Sequence, residues 1–300
     1  MNPPALLVLA AGQGKRFGGP KQLATVGPQD EILIAYTIHD AVRAGFQHIV
    51  IVTREPYADL LGAELGPMVD RLGATLSIAI QVERPHLQPG ETSRAWGTGH
   101  AILSARSHLT GSFAVANGDD WYGPTAYRLL MAALRSVVSS SDTHFLVTYA
   151  IANTLTDTKC VSRAHCTVRD DGTLAQIEER LDVHYVRDRI VGFTEGGDRL
   201  SLPPTTPVST NLWGFRPSML EHLVVRFTAF SADAEVSAIR EFSLPAIIND
   251  LLDQDSIRVE TLPTLERLFG LTSPEDLPRV RARIAALVAS GVYPPDLRSG

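Results

Sequence analysis

Residues 6–23 read LLVLAAGQGKRFGGPKQL. An apolar run ends in a glycine-rich turn carrying Lys15 and Arg16, and Lys21 follows on the far side of Gly18, Gly19 and Pro20. A strand opening into such a loop gathers bare backbone N–H groups and several cations around one point, which is what a polyphosphate requires. The stretch therefore reads as a nucleoside triphosphate site. A P-loop is excluded, because Gly14-Lys15 is followed by Arg16 and no hydroxyl is placed for magnesium. A dinucleotide fingerprint begins with Gly12-Gln13-Gly14 but has Phe17 where its third glycine belongs. Its acidic residue is also misplaced: the next strand offers Glu55, far beyond the expected spacing of about 20 residues. An ordinary tight turn would account for the glycines but not for the three cations beside them.

The chain has 300 residues, 44% of them hydrophobic and 20% charged, enough for one large α/β domain with additions or for two small ones. A formal charge of −6 gives no basic field for nucleic acid. The first apolar run lacks a basic flank and is too short to span a bilayer, so it reads as a buried strand in a cytoplasmic, membrane-free protein. Cys160 and Cys166 have no metal-like spacing and read as reduced thiols.

Outward from the loop, apolar spacing predicts a helix from Ile32 to Ala44 that stops at Gly45, a strand ending at Thr53, and an alternating strand from Leu76 to Val82. A helix from about Thr98 precedes a short strand at 113–116, and Pro124 opens another helix. Strands follow at 145–150, 164–169 and 173–178, the last two joined by the hairpin signal Asp170-Asp171-Gly172. Residues 85–99 and 196–207 read as long loops. Beyond Arg216 the pattern is helical, apart from a strand-like stretch at 257–262. The expected fold is an α/β, Rossmann-like, mixed and mostly parallel central sheet flanked by helices, with a β-ribbon and a helical C-terminal extension. The expected division is a core at 1–215 and an extension at 216–300. No internal repeat is present, so no left-handed β-helix is expected.

Parallel sheets bind ligands beyond the carboxyl ends of their strands. One such end reads Gly118-Asp119-Asp120-Trp121-Tyr122-Gly123, and adjacent carboxylates there suit a hard cation such as Mg2+ bridging phosphate oxygens. Gln81, near another strand end, offers a donor and an acceptor to a base edge, and the backbone at Gly97, before Thr98, can approach a ring closely. Thr98 also suits a helix N-cap.

The order Leu9-Ala10-Ala11-Gly12-Gln13-Gly14-Lys15-Arg16 followed by Pro20-Lys21-Gln22-Leu23 resembles the signature of the sugar-nucleotide pyrophosphorylases and related nucleotidyltransferases. The motifs are most similar to those of sugar-1-phosphate uridylyltransferases. The resemblance implies transfer of a nucleotidyl group from a nucleoside triphosphate, UTP by preference, to a sugar 1-phosphate with release of pyrophosphate and Mg2+ as cofactor. It gives catalytic roles to Arg16, Lys21 and Asp119, and metal binding to Asp119, with Asp120 added by adjacency. It gives nucleotide contacts to Leu9, Ala10, Ala11, Gly12, Gly14, Lys15, Gln81, Gly97 and Thr98. Glu179, Arg180 and Asn211 fall in the places of sugar-binding residues. The stretch 268–277, LFGLTSPEDL, is similar to the family's Trp-x-Asp-x-Gly-Thr-Pro-Glu-Asp-Leu, with Gly270 where the metal-binding aspartate is expected. Transfer of cytidylyl or guanylyl groups, or a non-catalytic nucleotide-sugar sensor, are the alternatives, and a homo-oligomer is compatible with each. A glycosyltransferase would want an Asp-x-Asp and no basic phosphate loop.

Overall fold

The structure, a computed structural model, describes residues 3–12, 17, 20–83, 96–136, 142–156 and 159–298. The stretch Ala5–Leu9 is strand β1 and is buried almost throughout, because it lies between two parallel neighbours. After it come α1 (Leu33–Ala44), β2 (His48–Thr53), α2 (Glu55–Arg71), β3 (Thr75–Ile80), α3 (Thr98–Ser104) and β4 (Phe113–Asn117). The two-residue β5 (Asp120–Trp121), α4 (Pro124–Arg135) and β6 (Thr143–Ala150) complete the first half. A ribbon follows, made of β7 (Val161–Val168), β8 (Leu174–Val186), β9 (Arg189–Phe193) and β10 (Arg199–Leu202), and then β11 (Pro207–Phe215). The remainder holds α5 (Ser218–Ala232), α6 (Ala234–Ile239), α7 (Leu244–Asp253), β12 (Arg258–Thr264), β13 (Phe269–Gly270) and α8 (Leu277–Ala289).

The main sheet runs β10-β9-β8-β7-β11-β4-β1-β2-β3, with β6 beside β11 and β12 beside β6. Strands β3, β2, β1 and β4 are parallel, and β11 joins β4 antiparallel. This is the mixed sheet with a mostly parallel core expected from alternating strands and helices. The period of two in β1 sorts its side chains to opposite faces. Leu6 and Val8 pack with Ile34 and Ile38 of α1 and Tyr127 and Leu130 of α4. Leu7 packs on the other face with Ile102 of α3, Leu223 of α5 and Ile248 of α7.

Local signals account for most boundaries. Helix α1 stops at Gly45, whose φ of 108° is the left-handed C-cap that glycine adopts without a Cβ penalty. Helix α2, in a stretch with no clear sequence signal ahead of it, buries Leu61, Leu65, Met68 and Val69 at helical spacing. The expected loop at 196–207 is corrected: Gly197, with φ of 88°, turns the chain so that Thr194 N–H donates to Asp198 O at 2.9 Å, and β10 pairs with β9. The glycines and prolines there flank a four-residue strand instead of filling a loop. Most of the long loop expected at 85–99 lies outside the described residues. In the C-terminal part, β12 lies parallel to β6 inside the main sheet. After α8 the chain returns to α1: Tyr293 O–H donates to Asp40 at 2.7 Å while accepting from the Trp121 indole at 2.6 Å. Among the described residues no helix is long and apolar enough to cross a membrane.

His144 on β6 is fully buried, and its Nδ1 accepts the Arg216 N–H at 3.2 Å. Burial pushes its pKa down from 6.5 to about 3. The folded chain therefore holds fewer protons than the unfolded one between these values, so this contribution to stability is complete above the unfolded pKa and lost as pH falls through the window. Denaturant unfolding followed between neutral pH and about pH 4.5 should show a shallower loss of stability for His144→Gln than for the wild type. The difference should approach about 1.4 kcal/mol per pH unit. Equal slopes would show that His144 takes up its proton as readily in the folded chain as in the unfolded one.

Candidate active site

The carboxyl ends of β1 and β4 lie side by side, with Leu9 paired to Asn117. Gly118 N–H donates to Leu9 O at 2.9 Å, and a Cβ on Gly118 would press on Leu9 O, Ala10 and Ile34. This close approach explains the glycine before the two aspartates. Beyond β1, Ala10 N–H donates to Val52 O at 2.7 Å, so the chain continues along the sheet before it leaves at Gly12. The buried Gln22 then closes the loop by donating from Nε2 to Gly12 O at 3.1 Å. Lys21, in the 3-10 turn Lys21–Leu23, is thereby directed at Asp119 and forms an ion pair with it. Gly14, Lys15 and Arg16 lie outside the described residues.

Asp120 belongs to a two-stranded ribbon in which β5 and β13 run antiparallel, with Asp120 opposite Gly270 and Trp121 opposite Phe269. The Trp121 and Phe269 rings stack at 4.7 Å with 15° between planes, and Leu271 N–H donates to Asp119 O at 2.8 Å. A Cβ at position 270 would collide with Asp119 O and with Asp120 Oδ1. The space that a side chain at 270 would need is thus filled by the Asp120 carboxylate.

The other Asp120 oxygen begins a hydrogen-bonded chain. Asn117 Nδ2 donates to Asp120 Oδ2 at 2.9 Å, Asn211 Nδ2 donates to Asn117 Oδ1 at 2.7 Å, and the Trp213 indole donates to Asn211 Oδ1 at 3.0 Å. Since an indole can only donate, it fixes both amide orientations in turn. Asn211 reaches Asn117 because β11 bulges between Ser209 and Trp213, where Asn211 takes a left-handed φ of 66°. Asparagine tolerates that conformation, and bulges re-aim side chains in this way. Asn117 has no place in the expected site; its position as the last residue of a strand before Gly-Asp was the available signal.

Burial, followed by the charge of Asp119, pushes the Asp120 pKa up to about 7, while Asn117, Arg163 and Lys21 pull it down. Two adjacent carboxylates with only oxygen donors and too little cationic compensation suit a hard dication, so the residues fit magnesium.

Gln81 follows β3, and its Nε2 donates to Gly97 O at 3.2 Å and lies 3.4 Å from His100 Nδ1. Gly97 has φ of 110°, and a Cβ there would sit 2.6 Å from Phe242 O, so only glycine fits. Thr98 caps a different helix from the expected one: its Oγ1 accepts from Leu244 N–H, the first residue of α7, at 2.9 Å. On the ribbon, Arg180 is only 8% exposed and pairs with Glu178 at 2.8 Å. Glu179 lies opposite Ala164 and is exposed.

Gly270→Asp restores the carboxylate of the related pattern yet should destabilise the protein. Overpacking of this kind costs about 1 to 3 kcal/mol. Thermal melting should show a lower midpoint for Gly270→Asp, and a midpoint equal to the wild type would mean that the ribbon yields freely at Asp120.

The MobA-like NTP transferase domain model matches residues 6–155. The bifunctional protein GlmU of Mycobacterium tuberculosis is 30% identical over 121 residues, 38% of this chain and 22% of that protein. That of Rhodococcus opacus is 32% identical over 111 residues, 36% of this chain and 19% of its own length. The chain spans about a fifth of the length of these curated relatives. Among solved structures, the inositol-1-phosphate CTP transferase from T. maritima aligns with a TM-score of 0.60 at 15% identity, over 94% of this chain and 97% of that one. UDP-glucose pyrophosphorylase, solved with UDP-glucose, aligns with a TM-score of 0.59 at 15% identity, over 94% and 98%. Both share the fold. The matched residues 6–155 span the glycine-rich loop, Lys21 and the Asp119-Asp120 turn, and the chain belongs to the MobA-like NTP transferase family.

Proposed function

We propose that the protein joins a nucleoside triphosphate, UTP by preference, to a sugar 1-phosphate and releases pyrophosphate. An oxygen of the sugar phosphate attacks the α-phosphorus, and the bond from that phosphorus to the bridging oxygen of the pyrophosphate breaks, its electrons leaving with pyrophosphate. The observation that carries this reading is the convergence of Lys21, Asp119, Asp120 and Asn211 where the ends of β1 and β4 meet the bulge of β11. Such a reaction asks the protein for positioning and charge neutralisation more than for covalent chemistry.

In this reading the backbone from Leu9 to Gly12, with Gly14, Lys15 and Arg16, receives the triphosphate. Lys21 turns from Asp119 to the α-phosphate and the incoming phosphate. Asp119 and Asp120 would hold magnesium, which when bound would supply positive charge to neutralise the phosphates. Asp120, opposite Gly270, supplies the carboxylate that position 270 lacks, which argues against a chain that only senses nucleotides. Gln81, Gly97 and Thr98 face the base. Its preference for uracil rests on the Gln81 amide, whose nitrogen is engaged by Gly97 O. Asn211, Glu179 and Arg180 line the sugar side, with Arg180 positioned through Glu178. The core at 1–215 would carry these residues, and 216–300 would brace it through α7 and β13.

Pyrophosphate release measured with each ribonucleoside triphosphate and a panel of sugar 1-phosphates tests the reaction. UTP should be used best. Folded Lys21→Ala protein should be slower by about a hundredfold or more, as expected for a lost preorganised cation. Wild-type rates in that variant would refute the assignment, whereas best use of CTP or GTP would overturn the base alone.

A further inference from the structure

Arg163 of β7 is a cation near the carboxylates that the proposed reaction has not used. Its Nε donates to Thr154 Oγ1 at 2.9 Å, Nη2 to Thr154 O at 2.6 Å, and Nη1 to Ser162 O at 2.8 Å. All three acceptors are neutral. Among the described residues the ion pairs of the site join Lys21 to Asp119 and Arg180 to Glu178, and none includes Arg163. Its charge nevertheless acts on Asp120, and that of Asp120 on it. Arg163 is half-buried, and a guanidinium whose three hydrogen bonds all end on neutral oxygens keeps both its charge and spare N–H donors for an arriving anion.

The strand register shows where that anion would lie. Arg163 stands opposite Arg180 on β8, and its neighbour Ala164 stands opposite Ser209 on β11, two residues before Asn211. Residues opposite each other in an antiparallel pair share a face, so the two arginines flank the same space. On the other side, Asn153, next to the Thr154 that holds Arg163, accepts from Leu268 N–H at 2.9 Å, two residues before Gly270. Arg163 therefore sits between the Asn211 bulge and the ribbon that carries Asp120. Arg180, the cation that the resemblance puts on the sugar side, is already engaged by Glu178 and lies 3.3 Å from His165 Nδ1. Arg163 has the less committed charge.

We propose that Arg163 binds the phosphate of the acceptor, so that the acceptor is a phosphomonoester held by its phosphate between β7 and the Asp120 ribbon. This rests on the transfer reaction proposed above and names the residue that selects a phosphorylated acceptor over a neutral sugar. A guanidinium offers the two-pronged donor geometry that a phosphate accepts, with Thr154 and Ser162 holding the fork in place.

Calorimetric titration of inorganic phosphate into the wild type, Arg163→Gln and Arg163→Lys tests it without turnover, with melting temperatures recorded alongside. The wild type should bind phosphate, and Arg163→Gln should bind about tenfold or more weakly, the size of one charge-assisted contact. Arg163→Lys, which keeps the charge but not the fork, should recover part of the lost affinity and stay weaker than the wild type. Equal affinity in all three proteins, no binding by the wild type, or a loss that lysine does not recover would each overturn the proposal. Pyrophosphate release by the wild type decides the reaction separately. In an active enzyme, Arg163→Gln should raise KM for the acceptor while KM for the triphosphate stays put, and a change in the triphosphate KM alone would also overturn it.

Discussion

Two neighbouring carboxylates in a partly buried site repel each other and resent the loss of water, and every element around Asp119 and Asp120 answers that constraint. Lys21 pairs with Asp119, Asn117 donates to Asp120, and the field of Arg163 reaches Asp120 from the ribbon. Gly270 gives way so that the Asp120 carboxylate has room. The charge that remains uncompensated suits a dication, and in the proposed reaction a dication beside Lys21 would make a place for a polyphosphate.

The fold supplies this arrangement through the ends of two strands and a bulge in a third. Strand β1, buried on both faces, delivers the loop, and β4 delivers Gly118 one residue past its pairing with β1 and the two carboxylates directly after it. Strand β11 brings Asn211 to the same point by bulging. Elements distant in sequence then lock the position: β13 pairs with β5, and Tyr293 ties Trp121 to Asp40 of α1. The helical C-terminal part thus acts on the site through the ribbon, and through Leu244, whose N–H is capped by Thr98.

Much of this is legible in the order of the residues alone. The apolar run marks β1, because a strand buried between parallel neighbours must be apolar. The period-two and helical spacings locate β2, β4 and α1 to within a residue or two. The features that the chain does not spell out depend on tertiary contacts. Thr98 caps α7 because of a fold-back 146 residues away. Gly270 reads as a missing ligand in the sequence and becomes intelligible only when Asp120 is found facing it across two strands.

The most direct measurement is metal dependence in single carboxamide variants: pyrophosphate release against magnesium concentration for Asp119→Asn and Asp120→Asn, with Mn2+ binding followed by electron paramagnetic resonance on the same proteins. Magnesium keeps several waters and can be held by one carboxylate together with substrate phosphates. Asp119→Asn should therefore stay inactive at every concentration and bind Mn2+ poorly, while Asp120→Asn should bind it more weakly than the wild type and recover activity as magnesium rises. Full activity of Asp119→Asn at ordinary magnesium, with unchanged Mn2+ binding, would contradict a metal site built on this pair.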